Sequence, residues 1–166
     1  MRERKVWISI LILVAALVAP AASGAAPAVR SLLILPYQPV DLDREEQWLG
    51  NGVAHLLALS LVNHPAVVLV DPARVTRLGQ PEAWGEEVVL GFARSVRADL
   101  ALYGEIKRVA GDLVLLPRYL EVKGAGAETR ALPPITVPDA RVPEGLSSLP
   151  LAYARALGLA LSEGDA

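Results

Sequence analysis

From Ser31 onward the chain alternates short apolar runs with longer stretches of helical period. "SLLIL", Ser31 to Leu35, ends at Pro36 and does not alternate, which suits a strand covered on both faces. After the loop "PYQPVDLD", a helix is predicted from about Glu45 to Asn63. At about 100° per residue, Leu49, Val53, Leu56, Leu57 and Leu61 gather into one stripe. His64-Pro65 ends it, because a residue before proline disfavours helical geometry. Val67 to Val70 reads as a second apolar strand, and Asp71-Pro72 opens a short helical turn toward Leu78. After "GQPEAWG", Glu86 to Val96 has a second helical period, with Val89, Phe92 and Val96 on one face. Glu86 and Glu87 in its first turn and Arg94 and Arg97 at its end match the helix dipole.

"LALYGEIKRVAGDLVLLPRYLEV", Leu100 to Val122, reads as a hairpin turning at Gly111-Asp112. Leu100, Leu102 and Ile106 share one face of its first strand, and Val114, Leu116, Leu120 and Val122 one face of its second. Pro117 cannot donate a ladder hydrogen bond, so a bulge or an unpaired side is expected there. Gly124 to Gly126 is a further turn, and Thr129 to Ile135 is expected to add a fifth strand. Residues 131–146, with Pro133, Pro134, Pro138 and Pro143, are read as an irregular connection. A last helix, residues 147–161, is capped by Ser147 or Ser148, has Pro150 in its first turn and carries Tyr153, Leu157 and Leu161 on an apolar edge.

Strand–helix–strand–helix–strand implies parallel strands joined by right-handed crossovers, and the hairpin adds an antiparallel one. The expectation is an α/β domain with a mixed, mostly parallel sheet packed with helices, plus a C-terminal helix. Leu33, Leu35, Leu57, Val68, Phe92 and Leu102 are its expected core.

The first 25 residues are read as a signal peptide, not as fold. Arg2, Arg4 and Lys5 precede an apolar stretch from Val6 to Val18, Pro20 breaks it, and cleavage after Ala25 fits the small residues there. The alternative is a retained membrane anchor, although spanning needs about 17–25 apolar residues. Cleavage would leave 13 basic and 17 acidic residues, a net charge of −4. With no basic stripe, nucleic-acid binding is not expected. Membrane contact is expected only through the signal segment, if it stays. The chain has no cysteine, which removes disulfides, thiolate chemistry and lipid attachment at a cysteine. About 140 mature residues suffice for a core without such staples.

Candidate chemistry is thin. His55 and His64 show no HxxxH or HExxH spacing, and no metal site is expected. Ser60, His64 and Asp71 could be imagined as a triad, but no G-x-S-x-G elbow is present. Gly50 to Gly52 lacks the third glycine of a dinucleotide loop, His55 standing there instead, and is better explained by helix entry. Asp41, Asp43, Glu45 and Glu46 lack the glycine and closing glutamate of a calcium loop and suit a helix N-terminus. No catalytic residue and no cofactor are expected.

The order "LLILPY", then "WLGNGVAHLLALSLVNHPAVVLVD", then "GFARSVRADLALYGEIKRVAGDLVLLPRYLEVKGAG" resembles the TolB amino-terminal-like domain, with FlgO-like and CsgG-like envelope proteins as relatives. The matching features are Pro36-Tyr37 after the first strand and Asn51-Gly52 in the helix, where the family usually has aspartate first. Phe92-Ala93-Arg94, Ala98-Asp99 and Gly104 follow. The resemblance runs from about Val29 to Ala127, with the domain at residues 29–130. Departures are Pro117 and the proline-rich tail, where many relatives continue toward repeats or a propeller. The resemblance implies an anticodon-binding-domain-like sheet of five strands, order 2-1-3-4-5 with strand 4 antiparallel. It further implies a non-enzymatic bacterial envelope module, exported to the periplasm or outer membrane, that contacts envelope proteins.

On that reading Tyr37, Asp41, Asp43 and Trp48 are the candidate partner-binding residues. Trp48 lies about 260° from Leu49, off the helix's apolar stripe. It either packs under the Tyr37–Asp43 loop or stands out as an aromatic anchor. The competing function is small-ligand binding or hydrolysis in the crevice at the carboxyl ends of the first two strands, lined by Pro36 to Val40 and Asp71.

Overall fold

A computed structural model describes residues 29–77, 83–138 and 142–159. The signal-peptide expectation therefore lies outside the described residues. The elements are β1 (Arg30–Ile34), β2 (Gln38–Val40), a 3-10 turn (Arg44–Glu46), α1 (Leu49–Leu61), β3 (Val67–Leu69), α2 (Pro72–Arg77), α3 (Glu86–Val96), β4 (Leu100–Val109), β5 (Asp112–Lys123), β6 (Gly126–Ala131), β7 (Ile135–Val137) and α4 (Val142–Leu157).

The fold is α/β around one mixed sheet. Its main path runs β3-β1-β4-β5-β6, with β2 also on β4 and β7 also on β5. β1 pairs parallel with β3 and β4, and β2 parallel with β4, while β5 pairs antiparallel with β4, β6 and β7. The described residues thus form seven strands rather than five, with three parallel and three antiparallel ladders.

Period-two alternation places the sheet's side chains into two cores. On one face Leu32, Leu100, Leu102, Ile106, Leu113, Leu115 and Tyr119 meet α1 and α4. On the other Leu33, Leu35, Ala101, Tyr103 and Leu120 meet Val89, Ala93 and Val96 of α3. Leu33, Leu35, Leu57 and Leu102 are fully buried. Two expected core residues are not: Phe92 is half-buried, and Val68 is 59% exposed. Val68 belongs to the end strand of the sheet. Leu56 also departs from its expected stripe and is exposed.

The hairpin turn is Ala110-Gly111, one residue earlier than expected, with φ of 54° and 94°. Two positive φ values are what a two-residue hairpin with native twist demands. Pro117 sits in an unbroken β4–β5 register opposite Gly104, so there is no bulge. Its other side faces the gap between β6 and β7, where its carbonyl accepts from Leu132 N at 2.9 Å. The missing N–H therefore falls where no ladder needs it.

The expected Thr129–Ile135 strand is two strands, β6 and β7, separated by Leu132-Pro133-Pro134, so the proline-rich connection contains paired backbone. α4 begins at Val142, not at Ser147, and Pro150 lies inside it. Asp99 ties the start of β4 to β1: its Oδ2 accepts from Ser31 N at 2.8 Å, and Asp99 N donates to Ser31 O at 2.9 Å.

Candidate interaction surface

The chain from Pro36 to Leu49 builds the end of the sheet where β1 and β3 finish. Tyr37 turns inward and is 1% exposed. Its hydroxyl lies 2.6 Å from that of Tyr153 on α4, which lies 2.9 Å from Tyr103 O and 3.0 Å from Arg118 O. Tyr153 has one proton, and two carbonyls compete for it, so Tyr37 donates to Tyr153. Burial pushes both phenols above their ordinary range. Tyr37 also shapes the backbone around it. A Cβ at Gly50 would come 2.0 Å from Tyr37 O, and one at Gly104 2.6 Å from the Tyr37 ring. Tyr37 is therefore a core residue and leaves the candidate surface. Its distant partner, Tyr153, had no signal in sequence spacing.

Asp41 and Asp43 are exposed on either side of buried Leu42. Asp41 has φ 52°, a left-handed conformation that aspartate tolerates better than most side chains. The 3-10 turn after Asp43 is fixed by Glu46, whose carboxylate takes Arg108 Nε at 3.0 and 3.1 Å. Gln47 Nε2 donates to Leu42 O at 2.8 Å. This braced turn delivers Trp48 to the start of α1. Trp48 is 64% exposed, so it does not pack under the loop. Its ring runs along the helix over Gly52, where a Cβ would lie 3.2 Å from Cζ3.

α1 contains no charged residue. Leu49, Val53, Leu57 and Leu61 face the core, while Trp48, Leu56, Leu59 and Val62 are exposed. At about 100° per residue, Trp48, His55, Leu59 and Val62 share the outer side. Soluble monomers rarely leave a contiguous apolar strip of this kind without a use for it.

Beside that strip a cleft of about 450 Å³ opens at the carboxyl ends of β1 and β3. Ile34, Pro36, Leu69 and Val70 come from the strand ends, His55 from α1 and Trp84 from the loop before α3. Trp84 stands edge-on to Phe92, ring centres 5.5 Å apart. Asn51, His55 and Thr76 supply the polar side chains among the described lining, none of them an Asp, Glu, Lys or Arg. Of the residues expected in this crevice, Pro36 lines it, Tyr37 is buried elsewhere, and Asp71 is spent on capping α2 through Ala73 N at 2.8 Å. Ser60 donates to Leu56 O at 2.9 Å, and His64 Nδ1 accepts from Ala66 N at 3.2 Å, so the imagined Ser60–His64–Asp71 triad is three separate local bonds. Among the described residues no group of three or more His, Asp or Glu could hold a metal ion, and no helix is long and apolar enough to cross a membrane.

No protein-family model matches the chain, and no curated protein matches it. Solved structures do. TolB from Acinetobacter baumannii is similar over 78% of this chain and 28% of its own, at 14% identity and TM-score 0.50. The LpoB C-terminal domain from Salmonella enterica aligns over 66% of this chain and 86% of its own, at 19% identity and TM-score 0.42. A PelC dodecamer from Paraburkholderia phytofirmans aligns over 83% and 95%, at 17% identity and TM-score 0.49. The likeness to TolB shows a shared fold, and the chain spans little more than a quarter of that protein.

Proposed function

We propose that this chain is a non-enzymatic, exported envelope module that works by binding another envelope protein, and that Trp48 anchors the contact. The observation that carries the reading is the uncharged outer side of α1, with Trp48 held clear of its own loop. Interface energy concentrates in a few aromatic anchors, often near aliphatic neighbours that exclude water. Asp41 and Asp43 give that strip a charged border. The likeness in fold to TolB supports an envelope role, and the basic start before Val6–Val18 supports export.

The test is Trp48→Ala. Because the ring is exposed, the far-ultraviolet circular dichroism should stay unchanged. Recovery of the partner crosslinked to the wild-type protein in intact envelopes should fall, since truncating such an anchor costs about 2 kcal/mol or more. Unchanged recovery with an intact fold would remove this surface from the reading.

The cleft favours a second reading, binding of a small neutral ligand. Its volume suits one, and its described walls are apolar apart from Asn51, His55 and Thr76. A large, specific thermal shift with a metabolite pool, kept in Trp48→Ala but lost in His55→Leu, would favour it over the first.

A further inference from the structure

The two ends of the main strand path are β3 and β6, and among the described residues each pairs on one side only. An open strand edge invites another strand, and proteins normally blunt it with charge, proline or a bulge. β6 is blunted, its Glu128 held between Lys123 and Arg130. β3 is Val67-Val68-Leu69, with no charge, no proline and no bulge. From this we infer that β3 pairs with β3 of a second copy of this chain, antiparallel, about a two-fold axis at Val68.

The backbone fixes the register. Ala66 O accepts from Arg30 N at 3.0 Å, and Val70 N donates to Leu32 O at 2.8 Å. The even-numbered positions thus turn their main chain toward β1, and Val67 and Leu69 turn theirs outward. Val67 N already donates to His64 O at 3.2 Å, which leaves Val67 C=O and both polar groups of Leu69 directed to the open side. An axis at Val68 sets Leu69 N–H of each copy against Val67 C=O of the other. Two ladder bonds form without disturbing the turn at His64. Val68 then meets Val68 of the second copy as a non-hydrogen-bonded pair, the arrangement with the closer side chains. That contact covers Val68, which is 59% exposed in the single chain.

Charge favours a second copy over a charged partner strand. From Leu49 through Val70 the chain carries no Asp, Glu, Lys or Arg, so two identical edges approach without like-charge repulsion. Antiparallel pairing also sets Asp71 of one copy opposite Pro65 of the other, beside a histidine and away from the other Asp71. An isologous contact of this kind closes at two copies and leaves no growing end.

The chain has no cysteine, so Val68→Cys gives a protein with a single thiol. Purified from cells expressing the full chain and mildly oxidised, it should form a disulfide-linked dimer. Ala131→Cys, an exposed position on β6, should stay mostly monomeric. In sedimentation velocity up to about 100 μM, where a small interface is still populated, the wild-type protein should show a dimer. Val68→Lys should weaken it about tenfold or more, because like charges would face each other directly. Circular dichroism confirms the fold of each variant. A wild-type protein that is monomeric throughout, with Val68→Cys crosslinking no faster than Ala131→Cys, would overturn the proposal. So would a dimer that Val68→Lys leaves intact, or a Val68→Cys thiol that crosslinks only to other proteins.

Discussion

β6 and β3 close the same sheet with opposite chemistry. On β6, Arg130 Nε donates to Glu128 Oε1 at 2.7 Å, and Lys123 reaches both Glu128 and, at 3.3 Å, Glu121. Such exposed pairs add little stability. What they do is make the edge costly to desolvate, so a second strand gains nothing by lying against it. β3 carries only valines and leucine and lies next to α1, an uncharged helix. Within one small domain, then, one edge is built to repel and the other to accept. The difference leaves the uncharged, exposed apolar positions of the sheet and its helices on the side of β3 and α1.

β3 can act as a template only as a firm edge, held by the core beneath it. Leu57→Ala challenges this most severely. Leu57, on the core-facing side of α1, is fully buried, and its truncation should cost about 2–5 kcal/mol in denaturant unfolding. Backbone amides of β3 should lose hydrogen-exchange protection by the same amount as those of β4. If β3 alone loosened, the edge would be a frayed segment and not a template.

Gly104→Ala strikes the other half of the sheet. The new Cβ would lie 2.6 Å from Leu116 O and 2.6 Å from the Tyr37 ring. The expected cost is about 1–3 kcal/mol, read from the denaturation midpoint, with dimer formation through β3 retained.

Tyr153→Phe removes the hydroxyl shared by Tyr37, Tyr103 O and Arg118 O, and should cost about 1–3 kcal/mol. It also has a pH signature. Burial raises both phenols in the folded state, whereas the unfolded chain ionises them near the ordinary value of 10.0. Above that pH the unfolded state holds fewer protons, so stability is complete below it and falls as pH rises. Tyr153→Phe should flatten that alkaline fall, since one of the raised phenols, which include Tyr103, is gone. An unchanged slope would mean that the pair is not what titrates.

Replacing Glu128 and Arg130 together by threonine should leave the unfolding midpoint where it is. It should add a new self-association that Val68→Lys does not suppress. No new association would mean that β6 is protected by something other than charge.

Much of this was legible in the sequence. Alternation and the 3.6-residue period found β1, β3, α1, α3 and the hairpin, because each is a local pattern that burial then enforces; β2, only three residues long and containing Pro39, lay in a segment read as a loop. Val68 was misread because an apolar run says that a segment is a strand, not where it sits in the sheet. The Tyr37–Tyr153 contact joins residues 116 positions apart, which no local period can express. The two strands around Leu132-Pro133-Pro134 were hidden because prolines mark the break and obscure the pairing on either side. Of the candidate surface, Asp41, Asp43 and Trp48 are exposed, and Tyr37 is not, because Gly104 makes room for its ring and Gly50 for its backbone.

Asp99 and Ser31, the pair that stitches β4 to β1, lie 68 positions apart. The central strand β4 thus enters the chain only after β1, β3 and three helices have been made. A polypeptide emerging from its N-terminus has no centre on which to assemble until Leu100 arrives, and a fragment ending at Val96 has lost the strand that β1, β2 and β5 all share. The first half of this protein therefore completes its sheet only once its keystone strand has been made.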